Sequence, residues 1–349
     1  MRVIAPCLCA SMLTLLLSCS KENEQTTAPE TPEPGVREIT YRGWDNAVEI
    51  TSEEARVVVV PAIGRIMFYG PIDGDNVLWE NPAFFGKTLP PGQPYTENGS
   101  VIWANFGGDK VWPTEQSDFP AINDRSWPPD HWFDGSTHDA ELLNMGVRLT
   151  GPVSDYCGAR SVREITLAKD GTVLTISQRI EKAKSARKRS VEPISYTIWN
   201  VTQIRSPEAA LIKLNANSRF QQRHYLFSSA AGARFTVQGD AGIFVPDPAA
   251  SLKMGADSDG WVGAVIGDVA IGEFFQFQAD AAYPDNGLSA EIYTSPEYTE
   301  LELLSPLKRL ALGEKMDYTI TWDLYRLPSS ANSTSKRIDA AVNWLNNHQ

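Results

Sequence analysis

The chain has 349 residues, 42% of them hydrophobic, enough to bury a large core as one big domain or two small ones. A formal charge of −12 argues against a nucleic-acid partner, because phosphate neutralisation needs a basic surface. Three of the four cysteines, Cys7, Cys9 and Cys19, fall in or at the end of an N-terminal segment. Cys157 therefore stands alone in the remainder, where neither an intramolecular disulfide nor a cysteine metal cluster can form.

Residues 1–18 carry Arg2 and then an apolar run to Leu17, too short to stay in a bilayer as an anchor, and read as a secretory signal. The end of the run, Leu16-Leu17-Ser18-Cys19, resembles the bacterial lipobox. That resemblance implies cleavage before Cys19, lipidation of Cys19, and membrane attachment through the lipid, since two or more acyl chains hold a protein firmly. Residues 19–38 are rich in Glu, Thr and Pro without apolar periodicity and read as a disordered tether.

From Ile39 onward, short runs of β-branched and aromatic residues alternate with turn dipeptides, and helical periodicity is nearly absent. Residues 56–60 (RVVVV) read as a buried strand that Pro61 ends, and Asp73-Gly74 turns the chain before residues 77–79. Residues 103–135 then concentrate unusual chemistry in what reads as a long loop. Trp103, Trp112, Trp127 and Trp132 are interleaved with Asp109, Lys110, Glu115, Asp124, Arg125, Asp130, His131 and Asp134. Pro113, Pro120, Pro128 and Pro129 forbid a continuous helix there. Flat aromatic faces beside charged hydrogen-bonding groups suit a sugar, whose C–H faces stack while its hydroxyls need directed donors and acceptors. The same rings would also serve to cap a core.

The clearest hairpin spans residues 162–180. Ile165 and Leu167 alternate with polar residues, Asp170-Gly171 makes the turn, and Leu174, Ile176 and Ile180 alternate on the return. Residues 182–189 (KAKSARKR) read as a solvated tip before a long strand over 196–204, both of whose faces are expected to be covered. Further strands are legible at 235–238, 261–266, 271–278, 288–294, 298–304 and 316–325. The expected fold is all-β, a large antiparallel β-supersandwich forming one domain over 39–328. In the tail, 329–349, Ile338, Val342 and Leu345 mark one face of a short helix that packs on the sandwich. Asp257-Ser258-Asp259-Gly260 is a fragment of a calcium loop without its later glutamate and reads as a turn, so neither metal nor other cofactor is expected.

Three segments carry a resemblance: Asn105-Phe106-Gly107-Gly108-Asp109-Lys110-Val111-Trp112-Pro113, Tyr298-Thr299-Glu300-Leu301-Glu302-Leu303-Leu304, and Leu312-Gly313-Glu314 with the strand after it. Their order resembles that of the galactose mutarotase-like (aldose 1-epimerase-like) superfamily of β-supersandwich proteins. Within it, the chain is most similar to a bacterial family with a GGDKxWP-type loop. The resemblance covers most of residues 40–327. It implies a sugar site in which Glu302 is the base that takes the anomeric hydroxyl proton, with Glu300 as the fallback on the same strand face. The family's two histidines are replaced, by Phe106 and by Trp199 with Asn200 adjacent, and neither ring moves a proton. His131, between Asp130 and Trp132, is the first substitute for the acid; His138 and His224 follow. Asp109, Lys110, Trp112, Trp199, Asn200, Glu300, Arg163 and Tyr283 are expected to contact the sugar.

Three readings stay open: a lipid-anchored bacterial envelope protein that binds a carbohydrate, an aldose epimerase built on Glu302 and a loop histidine, and a structural lipoprotein that kept only the fold. Each predicts a different behaviour toward sugar: saturable binding without chemistry, faster anomer exchange, or no saturable binding at all.

Overall fold

A computed structural model describes residues 33–348. The signal segment, Cys19 and most of the tether lie outside the described residues. The first strand, Gly35–Tyr41, begins four residues before the expected domain boundary of 39, because it pairs antiparallel with Trp44–Thr51 from Gly35 opposite Thr51 onward. Its composition is that of a solvated edge, with Arg37, Glu38 and Thr40 exposed, so the boundary is invisible to hydrophobicity.

Two ten-stranded sheets make the body of the fold. One runs in the spatial order Gly35–Tyr41, Trp44–Thr51, Ala55–Val60, Arg65–Pro71, Asp109–Trp112, Trp199–Arg205, Tyr298–Leu304, Ala290–Thr294, Leu252–Ala256, Tyr225–Leu226. The other contains the expected hairpin, Ala159–Leu167 with Leu174–Lys182, in the register Leu167 to Leu174 and Ile165 to Ile176, flanked by the long strand Lys315–Arg326. The facing surfaces of the two sheets share one apolar core that includes Val57, Ile66, Val111, Ile165, Ile176, Ile204, Leu301, Leu303 and Trp322. The terminal helix, Thr334–Asn347, buries Ile338, Val342 and Leu345 against Leu211, Trp261 and Val265 on the far side of the second sheet.

Two local expectations are corrected. Residues 182–189 do not form a hairpin tip, because the strands on either side belong to different sheets. Lys182 is buried and donates to the Cys157 carbonyl and the Tyr196 hydroxyl, while Arg187 and Lys188 pair with Asp124 and fold the crossover over the tryptophan-rich segment. The segment 103–135 is not all loop either. Asp109–Trp112 is a strand between Arg65–Pro71 and Trp199–Arg205. Gly107 and Gly108 deliver the chain into it with φ of +90° and +67°, and a Cβ on either would meet the Trp79 or Ile66 carbonyl oxygen at 2.3 or 2.2 Å.

Pleating then separates neighbours. Asp109 points between the sheets, where it pairs with Arg163 of the second sheet and accepts from Asn200 Nδ2 at 2.8 Å and Thr202 Oγ1 at 3.2 Å. Asp109, Arg163 and Asn200, expected at the sugar site, are thus interior residues that join the two sheets.

Candidate functional site

The outer face of the first sheet carries the opposite parity. Lys110 and Trp112, Trp199, Val201 and Gln203, Tyr298, Glu300 and Glu302, Glu291 and Tyr293, and Lys253 all project from it, each from alternate positions of its strand. Cross-strand register organises them into rows. One row passes Lys110, Val201, Glu302, Glu291 and Gly255; the next passes Gln203, Glu300, Tyr293 and Lys253.

Over these rows lies a cavity of about 340 Å³ lined by Trp103, Trp112, Gln116, Trp127, Lys253, Tyr293, Tyr298, Glu300 and Glu302. Its volume is in the range of small-molecule sites. The walls are aromatic. Trp103 stands edge to face with Trp112 at 6.4 Å and with Trp127 at 5.0 Å, and Trp112 meets Trp199 at 5.7 Å. The Trp103 indole is positioned by Asp134, which accepts its N–H at 2.5 Å and is itself held by buried Arg65 at 2.5 Å. Arg65 also donates to the Gly107 carbonyl at 2.7 Å, so the glycine pair and the tryptophan wall share one anchor.

The floor is ionic. Glu302 accepts from Trp199 Nε1 at 2.8 Å and from Lys253 Nζ at 3.2 Å, and Lys253 also pairs with Glu291 at 2.5 Å. Glu300 accepts from Lys110 Nζ at 3.4 Å and from Gln203 Nε2 at 3.0 Å. Burial pushes the Glu300 carboxyl above its ordinary range against the pull of Lys110, and burial lowers the Lys110 ammonium against the pull of Glu300. Burial likewise raises Glu291. Lys253, by contrast, is raised: burial works against its charge, but Glu291 and Glu302 outweigh it. Three buried carboxyls thus face two ammonium groups, a floor of fixed donors and acceptors beneath stacking rings.

Glu302, Glu300, Trp112, Lys110 and Trp199 are brought together here, Glu302, Glu300 and Trp112 on the cavity surface and Lys110 and Trp199 directly behind it. His131 is not. Its ring packs edge-on against Tyr156 at 5.3 Å and does not line the cavity, so it is not placed as an acid partner for Glu302. His138 is locked between the Ser136 carbonyl at 2.8 Å and Ser161 Oγ at 3.2 Å, and burial lowers its imidazole pKa to about 4. His224 packs on Phe235. Tyr283 stacks on Phe277 at 5.3 Å and accepts the Gln278 N–H at 2.9 Å, away from the cavity wall. No histidine is among the cavity's lining residues.

Residues the sequence reading did not select complete the site: Lys253, Glu291, Tyr293, Tyr298 and Gln116. The available signal was weak. Lys253 in Leu-Lys-Met-Gly-Ala and Glu291 in Ala-Glu-Ile-Tyr-Thr are single charges inside otherwise uncharged strands.

No family model matches the chain, and no curated protein matches it in sequence. Among solved structures, an aldose 1-epimerase candidate from Klebsiella pneumoniae is similar with a TM-score of 0.56 at 11% identity, over 88% of this chain and 85% of that one. A galactose mutarotase-like protein from Lactobacillus casei gives 0.49 at 9% identity, over 80% and 100%. A galactose mutarotase related enzyme from Lactobacillus acidophilus gives 0.49 at 9%, over 81% and 98%. At such identities the likeness speaks to architecture alone, and it rests on the first of the three. The chain has the galactose mutarotase-like fold.

Proposed function

We propose that the protein binds a carbohydrate in the cavity over Glu300 and Glu302. The observation that carries this is the pairing of five aromatic walls, Trp103, Trp112, Trp127, Tyr293 and Tyr298, with a floor of buried carboxyl and ammonium groups. Rings of this kind stack on the C–H faces of a pyranose, and the floor answers its hydroxyls. Trp127 is 41% exposed, so replacing it perturbs the wall without emptying the core. Trp127→Ala is expected to weaken binding about tenfold, about 1.4 kcal/mol. Titration calorimetry of glucose, galactose, mannose and N-acetylglucosamine checks this, and no saturable heat with any sugar overturns it.

Epimerase chemistry is a second reading, favoured by Glu302 on the cavity floor and by the Lys110–Glu300 pair, whose members burial drives toward their neutral forms. A carboxyl raised above its ordinary range holds its proton to higher pH, which suits Glu300 to the proton-giving role that the resemblance assigns to a histidine. Anomer exchange of the bound sugar, followed by NMR in the same samples, separates the two: exchange at the buffer rate leaves binding alone.

The reading also includes attachment to a bacterial envelope membrane through lipid on Cys19. Its support is the motif Leu16-Leu17-Ser18-Cys19 behind an apolar run. Labelling of cells with a clickable palmitate is expected to mark the wild-type chain and not Cys19→Ala; equal labelling of both sinks it.

A further inference from the structure

We infer that the site takes a glycan chain rather than a single sugar, with Tyr225 and Phe227 forming a second platform beyond Lys253; this rests on the carbohydrate reading above. The strand Tyr225–Leu226 closes the edge of the first sheet beside Leu252–Ala256, with Tyr225 opposite Gly255 and Leu226 opposite Met254. The Phe227 N–H donates to the Lys253 carbonyl at 3.3 Å, which continues the register by one residue. The row through Glu302 and Glu291 therefore ends at Tyr225, and the row through Glu300, Tyr293 and Lys253 ends at Phe227. Alternation puts both rings on the cavity's side of the sheet, while Leu226 packs against the core.

The two regions are continuous. Lys253 Nζ lies 5.0 Å from the Trp199 ring centre and 5.4 Å from that of Phe227, so one ammonium is shared between the cavity floor and the platform. Tyr225 and Phe227 stand at 5.0 Å and 85° to each other, a corner that offers one ring's face and the other's edge.

Exposure sharpens the point. Among the described residues, the large aromatic side chains left exposed are Trp127 at 41%, Phe227 at 40% and Tyr225 at 37%, and all three belong to this one surface. Exposed rings gathered on one surface, unlike rings scattered singly, mark a contact surface, and here they sit along a track that begins in the cavity. From the strand of Glu302 to that of Tyr225 is three strand spacings, about 14 Å. A single pyranose cannot bridge that distance; linked residues can, stacking in turn on the Trp127 wall and on the Phe227 corner. Gly255, opposite Tyr225, lies under the buried side chain of Leu288, so the track follows the other row, from Tyr293 past Lys253 to Phe227.

The test is calorimetry on the full folded chain with glucose, mannose and N-acetylglucosamine and their linear oligomers of two to four residues. Affinity is expected to rise at least tenfold from monomer to trimer in one series, and the rise is expected to disappear in Tyr225→Ala/Phe227→Ala. Phe227→Ala alone, assayed beside it, should remove most of the gain. If monosaccharide binds but affinity does not grow with length, or the double variant keeps the growth, the chain proposal falls and the single-sugar reading stands. If no sugar binds the wild type, both fall. If the double variant changes the sedimentation behaviour instead of the length dependence, the rings are a self-association surface and the proposal is overturned.

Discussion

Arg163→Met is expected to lower the free energy of unfolding by about 3–5 kcal/mol, the usual cost of removing one member of a buried ion pair. Arg163 and Asp109 are both essentially inaccessible, and their contact bridges the two sheets. Without the guanidinium, Asp109 keeps only the Asn200 and Thr202 donors for a full charge in an apolar layer. Asp109→Leu combined with Arg163→Met should recover most of the loss, because the pair's desolvation is removed with its attraction. Urea melts of the wild type and the two variants at neutral pH check this. A single variant within about 1 kcal/mol of wild type would mean that the interior admits enough water to screen the pair.

Lys253→Met is the second large effect, expected to destabilise by about 3 kcal/mol at pH 8, the lower part of the range for broken buried pairs because the cavity admits water. Lys253 keeps 20% of its side chain exposed, while its partners Glu291 and Glu302 are at 0% and 2%. The loss should depend on pH with a definite sign. Burial raises the folded-state pKa of Glu291, with Lys253 opposing, so its carboxylate destabilises the fold as pH climbs above the unfolded carboxyl value. Removing Lys253 removes the opposition. The gap between variant and wild type should therefore be smaller at pH 4, just below the unfolded carboxyl value, where Glu291 is mostly protonated in both states, and widen as pH rises. A gap constant from pH 4 to pH 8 would show that the ammonium contributes by side-chain contact and not by charge. On the carbohydrate reading proposed above, the same variant should also lose sugar affinity, since Lys253 belongs to the cavity lining.

Much of the scaffold was legible along the chain. Strands 261–266 and 298–304 coincide with Trp261–Ile266 and Tyr298–Leu304, and the hairpin turn at Asp170-Gly171 stands where its dipeptide indicated. These are local signals, a period of two bounded by turn residues, and they survive because the sheets bury one or both faces of each strand. The tryptophans of 103–135 were also recognisable as unusual, and three of the four, Trp103, Trp112 and Trp127, do wall the cavity.

Which charged residues meet was not legible, for two physical reasons. Parity is the first: Asp109 and Lys110, or Trp199 and Asn200, are adjacent in sequence yet occupy opposite faces of one sheet, so choosing both members of each pair had to fail for one. Register between distant strands is the second. Lys110 meets Glu300 across 190 residues, and Lys253 meets Glu302 across 49, through a strand order that no local pattern encodes. By itself, then, the sequence determined an acidic all-β chain with an aromatic segment and a late acidic strand, because composition and two-residue periodicity are local properties. Tertiary structure alone decided that Lys253 and Glu291, not His131, stand beside Glu302, because side-chain proximity is set by how pleated strands align and not by distance along the chain.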